Sequence, residues 1–129
     1  MSEKKKINIL IIDDDADFCS MLRLHLSSAG YSAQAAEDAV EGGKALLAHP
    51  FDLLICDVKM PYMDGIELLT LLRTDPKTAG IPVILISGRS DVEAQGKALD
   101  AGAADYLTKP ISRDTLLESV KASLKKKPK

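Results

Sequence analysis

Five times along the chain a short apolar burst gives way to a segment of helical periodicity, and this alternation restricts the fold more than any other feature. The bursts are "INILII" (7–12), "YSAQAA" (31–36), "DLLICD" (52–57), "IPVILIS" (81–87) and "DYLT" (105–108). Strands alternating with helices are the signature of βαβ units and hence of a parallel sheet. The first, third and fourth bursts are too continuously apolar to have a wet face, so they read as central strands. The second and fifth are weaker and belong nearer the edges. Such a chain folds as an α/β, doubly wound, five-stranded parallel sheet flanked by five helices, and its ligands bind beyond the carboxyl ends of the strands.

The helices can be placed from spacing and end signals. Phe18, Met21, Leu22, Leu26 and Ala29 follow i, i+3, i+4 spacing, and Gly30 supplies a stop. A second helix covers about 39–48, weakened by Gly42 and Gly43, each costing about 1 kcal/mol relative to alanine. A third covers about 66–73. The fourth begins at "SDVE", where Ser90 and Glu93 have capping-box spacing, and closes at Gly102. The fifth starts behind Ser112 and carries Leu116, Leu117, Val120 and Leu124.

With 129 residues, 46% of them hydrophobic, the expectation is one domain over residues 1–129 with a single core at about 7–124. The apolar runs are too short to span a membrane and the first residues lack a secretory signal, so a soluble, cytoplasmic chain is expected. Cys19 and Cys56 stand in apolar contexts without metal-ligand spacing and read as small buried hydrophobes. The net charge of −2 hides an uneven distribution: lysine-rich tails flank a body, residues 7–124, with 10 basic and 18 acidic residues. An acidic body argues against direct nucleic-acid binding.

The residues at the strand ends are Asp13, Asp14 and Asp15, then Asp57, Ser87 and Lys109. Clustered carboxylates without an arginine partner are best explained by a hard cation, and oxygen ligands without histidine or thiolate favour Mg²⁺. A carboxylate beside such a cation can attack phosphorus to give an aspartyl phosphate. Asp57, alone at the end of a central strand, fits the nucleophile; Lys109 fits the counter-charge on the phosphoryl oxygens and Ser87 a hydroxyl that bonds one of them. Asp15 is better placed as the N-cap of the first helix, with Asp17 in its first turn.

"IIDDD", "CDVKMPYMDGIELL", "PVILISG" and "YLTKP", in this order and spacing, make the chain resemble a response-regulator receiver domain of two-component signalling, over roughly 7–124. The resemblance implies strand order 2-1-3-4-5 and a switch that catalyses its own phosphorylation and dephosphorylation. It implies that Asp57 takes phosphate from the phosphohistidine of a histidine kinase or phosphotransfer protein. It implies Mg²⁺ bound by Asp14 directly, by Asp13 through water, by Asp57 and by the backbone carbonyl of Lys59. Ser87 would be the switch hydroxyl, Tyr106 the aromatic that moves inward on activation, and Lys109–Pro110 a cis bond. Gly65 would serve the turn after the acceptor. Lys59 and Arg89 would flank the water that hydrolyses the phosphate; being long and basic they cannot accept its proton, which implies a long-lived phosphorylated state.

Rival functions fit less well. Asp13, Asp15 and Asp17 alternate as in a calcium loop, but Phe18 and Leu24 stand where that loop needs glycine and glutamate. A haloacid-dehalogenase-like phosphatase, the enzyme alternative, wants Thr or Val where Asp17 stands. A receiver-like module that is never phosphorylated would have lost an acid or the lysine. Flavodoxin-like cofactor binding lacks a phosphate loop after the first strand. His25 and His49 read as surface or boundary residues, and Met60 and Met63 as loop packing. With no output segment after the fifth helix, the expected partner is either a downstream protein or an effector domain missing from this chain.

Overall fold

The computed structural model describes residues 6–88 and 92–126, apart from the side chains of residues 92–94. Among the described residues ten elements alternate strictly: β1 (Asn8–Ile12), α1 (Ala16–Ser28), β2 (Ser32–Ala36), α2 (Ala39–Ala48), β3 (Leu53–Asp57), α3 (Gly65–Thr74), β4 (Val83–Ser87), α4 (Val92–Asp100), β5 (Asp105–Thr108) and α5 (Arg113–Leu124). Neighbouring strands are parallel throughout, in the order β2-β1-β3-β4-β5. The weak bursts therefore do lie at the two edges. The direction of winding reverses between β1 and β3, so Asp13 and Asp57 emerge side by side.

Strand periodicity divides the core into two layers. Ile9, Ile11, Leu53, Ile55, Ile84 and Ile86 pack with Cys19, Leu22 and Leu26 of α1 and Leu116 and Val120 of α5. Leu10, Ile12, Leu54, Cys56, Val83 and Leu85 face the other way, onto Leu68, Leu69 and Leu72 of α3 and Ala98 of α4. Both cysteines are buried and unpaired with each other, as small hydrophobes in these layers. Met60 and Met63 pack against the second layer as loop side chains.

The first helix departs from its expected stripe. Met21 is 36% exposed and Ala29 lies on the surface, while Cys19 takes the buried place beside Leu22 and Leu26. The spacing i, i+3, i+4 is satisfied by more than one set of residues, and packing against α5 and the sheet selects among them. Gly30, at φ +93°, ends α1 in the left-handed region as expected, and Gly102 at φ +100° does the same for α4. The proposed Ser90–Glu93 capping box lies outside the described residues.

The helix over 39–48 forms in full despite its glycines. A Cβ on Gly42 would come within 2.3 Å of the Ile12 Cδ1, so this glycine lets α2 lie close on β1, whereas one on Gly43 would meet nothing. Asp38 caps α2 by accepting from Glu41 N. The third helix is one residue longer at each end than spacing suggested; a reciprocal capping box of Asp64 and Glu67 sets its start, and the Asp75 N–H donating to the Leu72 carbonyl closes its end.

Arg73 contributes a tie that no local pattern announces. Its guanidinium donates to the carbonyls of Ala79, Ile81 and Gly102, fastening the α3–β4 and α4–β5 connections together. Among the described residues, no helix is long and apolar enough to cross a membrane.

Candidate functional site

Asp13 follows β1, Asp57 ends β3, Ser87 ends β4 and Lys109 follows β5, so four strands deliver their polar residues to one edge. Asp13 and Asp57 are buried, at 2% and 8% exposure, and Asp14 is exposed at the mouth. Carboxylate oxygens of Asp13, Asp14 and Asp57 all lie within 4.8 Å of one another. Like charges at that separation repel strongly unless neutralised.

Lys109 supplies part of the compensation. Its Nζ lies 3.0 Å from Asp13 Oδ2 and 3.7 Å from Asp57 Oδ2. It also sits over the ring of Phe18, 4.3 Å from the centroid. Burial alone would lower the lysine's pKa, but the Asp13 hydrogen bond and the charges of Asp57, Asp13 and Asp15 outweigh it, and the net shift is upward. One ammonium still leaves three carboxylates with a surplus of negative charge. Burial pushes the Asp57 carboxyl up to about 6, with the Asp13 charge adding to the rise and Lys109 and the Lys59 N–H opposing it. That N–H donates to Asp57 Oδ1 at 3.3 Å.

The residues fit a hard divalent cation. The donor set is oxygen only, its charge exceeds what the one ammonium balances, and the buried Asp13 Oδ2 faces that ammonium at 3.0 Å without any further hydrogen bond. Asp13 Oδ1, in contrast, accepts from the backbone N–H of Asp15 at 2.9 Å. Asp15 in turn caps α1 by accepting from Phe18 N at 3.1 Å, which bears out its reading as a cap, with Asp17 in the first turn.

The loop after Asp57 corrects one expectation. Gly65 does not make the turn: it is the first residue of α3, and a Cβ there would fall 2.5 Å from the Asp57 backbone oxygen. Its role is close approach to the end of β3, reinforced by Gly65 N–H donating to the Val58 carbonyl. The left-handed residue of this loop is Tyr62, at φ 75°. A tyrosine there gives no sequence signal, since asparagine or glycine is the usual occupant.

On the other side of the site, Ser87 Oγ donates to the Gly88 carbonyl at 3.0 Å and accepts from the hydroxyl of half-buried Tyr106 at 2.5 Å. Both residues were expected from the sequence; their direct bond was not. Lys109–Pro110 is cis. Lys59 has its side chain in solvent, and Arg89 lies outside the described residues. Phe18 is the site residue missed by spacing, which placed it in the apolar stripe of α1. Its signal was the single turn that separates it from the aspartates.

The sequence model of the response regulator receiver domain family matches residues 9–121. The chain belongs to that family. Among curated proteins, this receiver domain is 36% identical to the DNA-binding dual master transcriptional regulator RpaA of Synechocystis, a match covering 92% of this chain and 49% of RpaA. It is 38% identical to the transcriptional regulatory protein ZraR of Salmonella typhimurium, over 92% of this chain and 26% of ZraR. The receiver domain thus spans about half the length of one such relative and about a quarter of the other. Among solved structures, a response regulator from Chloroflexus aurantiacus superposes with a TM-score of 0.90 at 36% identity, covering 94% of this chain and 99% of that one. The chemotaxis response regulator CheY4 of Vibrio cholerae gives 0.84 at 27% identity, covering 91% and 98%.

Proposed function

We propose that Asp57 accepts a phosphoryl group from the phosphohistidine of a histidine kinase or phosphotransfer protein, in a Mg²⁺-dependent reaction that the receiver domain itself catalyses. The observation that carries this reading is the meeting of Asp13, Asp14, Asp57 and Lys109 at one sheet edge, with more carboxylate charge than the lysine can balance. Asp13, Asp14, Asp57 and the Lys59 carbonyl would hold the cation. When bound, it would neutralise charge on the phosphoryl oxygens.

The residues divide the remaining work. With a pKa near 6, Asp57 is mostly ionised at neutral pH and nucleophilic. A bond forms from its carboxylate oxygen to phosphorus as the bond from phosphorus to the donor nitrogen breaks, and the departing imidazole keeps that electron pair. Lys109 balances the equatorial oxygens from the β5 side. Ser87 then exchanges the Gly88 carbonyl for a phosphoryl oxygen, a charged and stronger acceptor. Because the Tyr106 hydroxyl is bonded to Ser87 Oγ, this exchange reaches the half-buried ring directly. The phosphoryl group thereby biases two pre-existing conformations of the face formed by α4, β5 and α5.

That face would meet a downstream protein or an effector domain of a longer regulator. The acidic body supports an output through protein rather than direct nucleic-acid contact by this domain, and a cytoplasmic setting suits the proposed kinase. The test is incubation with acetyl phosphate and Mg²⁺ followed by intact mass. Wild type should gain one phosphoryl group and Asp57→Asn none; equal uptake by both, or by neither, would overturn the assignment.

A further inference from the structure

Lys109 is held by contacts that close on themselves. Asp13 Oδ2 faces its ammonium at 3.0 Å, and Asp13 Oδ1 accepts from Asp15 N at 2.9 Å. Asp15 Oδ1 accepts from Phe18 N at 3.1 Å, and the Phe18 ring faces the ammonium at 4.3 Å from its centroid. The cap that starts α1 therefore also fixes the first helical turn on which Phe18 is carried.

We propose that Phe18 is a positioning residue for phosphoryl transfer, its ring face holding the Lys109 ammonium over the acid pocket. The proposal rests on Asp57 being the phosphoacceptor. Lys109 needs such an anchor because its side chain is 26% exposed and has four rotatable bonds, so carboxylates alone compete with water for the ammonium. A cation in the acid pocket would draw on the same carboxylates. The neutral ring attracts the ammonium through its quadrupole and makes no competing claim on that cation. It also closes one side of the lysine to solvent, strengthening the charge presented to a phosphoryl oxygen.

Losing this contact should slow transfer by about three- to tenfold, the range of a partly exposed cation–π interaction applied to a misplaced catalytic charge. The experiment compares wild type, Phe18→Leu and Phe18→Tyr. Acetyl phosphate serves as donor, so that docking of a protein donor cannot contribute. Leucine keeps apolar bulk but removes the ring face; tyrosine restores it. The leucine variant should be slower at saturating donor, and the tyrosine variant should return to within about twofold of wild type.

A second readout is independent of phosphorylation. In the proton–carbon NMR spectrum, the Lys109 ε-methylene of wild type should be shifted upfield by the ring, a shift lost in Phe18→Leu and retained in Phe18→Tyr. No upfield shift in wild type, or equal transfer rates for all three proteins with the shift lost only in leucine, would overturn the proposal. If wild type took up no phosphate, the acceptor assignment would fail, while the methylene shift would still report the ring contact.

Discussion

Replacing Asp57 by asparagine should make the metal-free domain more stable at neutral pH while abolishing its phosphorylation. The Asp57 carboxyl is raised from 3.8 to about 6, chiefly by burial and then by the Asp13 charge. Between those values the folded state holds a proton that the unfolded state has released, so stability falls as pH rises. The penalty is complete once pH exceeds the folded value and absent below the unfolded one. A rise of this size corresponds to a ceiling of about 3 kcal/mol. The site opens to solvent at Asp14, and asparagine weakens the pairing with Lys109, so about 1–2 kcal/mol is the expected net gain. For a domain of this size that is roughly 5 °C in melting temperature.

The assay is thermal unfolding followed by circular dichroism in EDTA, from pH 4 to pH 8. Asp57→Asn should melt higher than wild type at pH 8, and the two curves should converge toward pH 4. A gain that persisted unchanged at pH 4 would refute the reasoning, because neutral carboxyl and amide then differ by packing alone. A variant less stable than wild type at pH 8 would equally refute it, showing that the Lys109 contact outweighs the burial and repulsion of the Asp57 charge.

The three neighbouring aspartates should separate by assay: Asp14→Ala should abolish Mg²⁺-dependent phosphorylation, whereas Asp15→Ala should lower stability by about 1 kcal/mol through loss of the α1 cap, measurable by urea titration. Gly65→Ala should destabilise the fold and impair acceptor chemistry, because its Cβ would press on the Asp57 carbonyl, while Gly43→Ala meets open space and should stabilise α2 by about 0.5–1 kcal/mol in the same titration. The exposed, basic Lys59 should favour a long-lived phosphorylated state; Lys59→Asn, by offering a hydrogen-bond acceptor to water, should speed dephosphorylation followed by mass spectrometry, as should Arg89→Glu.

The element order and the candidate site were legible in the sequence because their causes are local or periodic. Continuous apolar runs specify buried parallel strands, and a polar residue directly after each run must lie at the carboxyl edge whatever the helices do. That logic placed Asp13, Asp57, Ser87 and Lys109 together without any knowledge of side-chain contact. Asp15 as a cap follows equally from local geometry, since an N-cap contacts a residue only three positions away.

What tertiary structure decided depends on groups distant in sequence. The choice of Cys19 over Met21 for the buried face of α1 is made by α5 and the sheet, because helical spacing alone admits either set. Gly65 is needed because α3 begins against the Asp57 carbonyl, a clash visible only once strand and helix are in place. The bond from Tyr106 to Ser87 spans β4 and β5, and the placement of the Lys109 ammonium on Phe18 joins the start of α1 to the end of β5. Sequence periodicity fixes which face of an element is apolar; only the packed sheet fixes which side chains, brought from its separate strands, share an edge and touch.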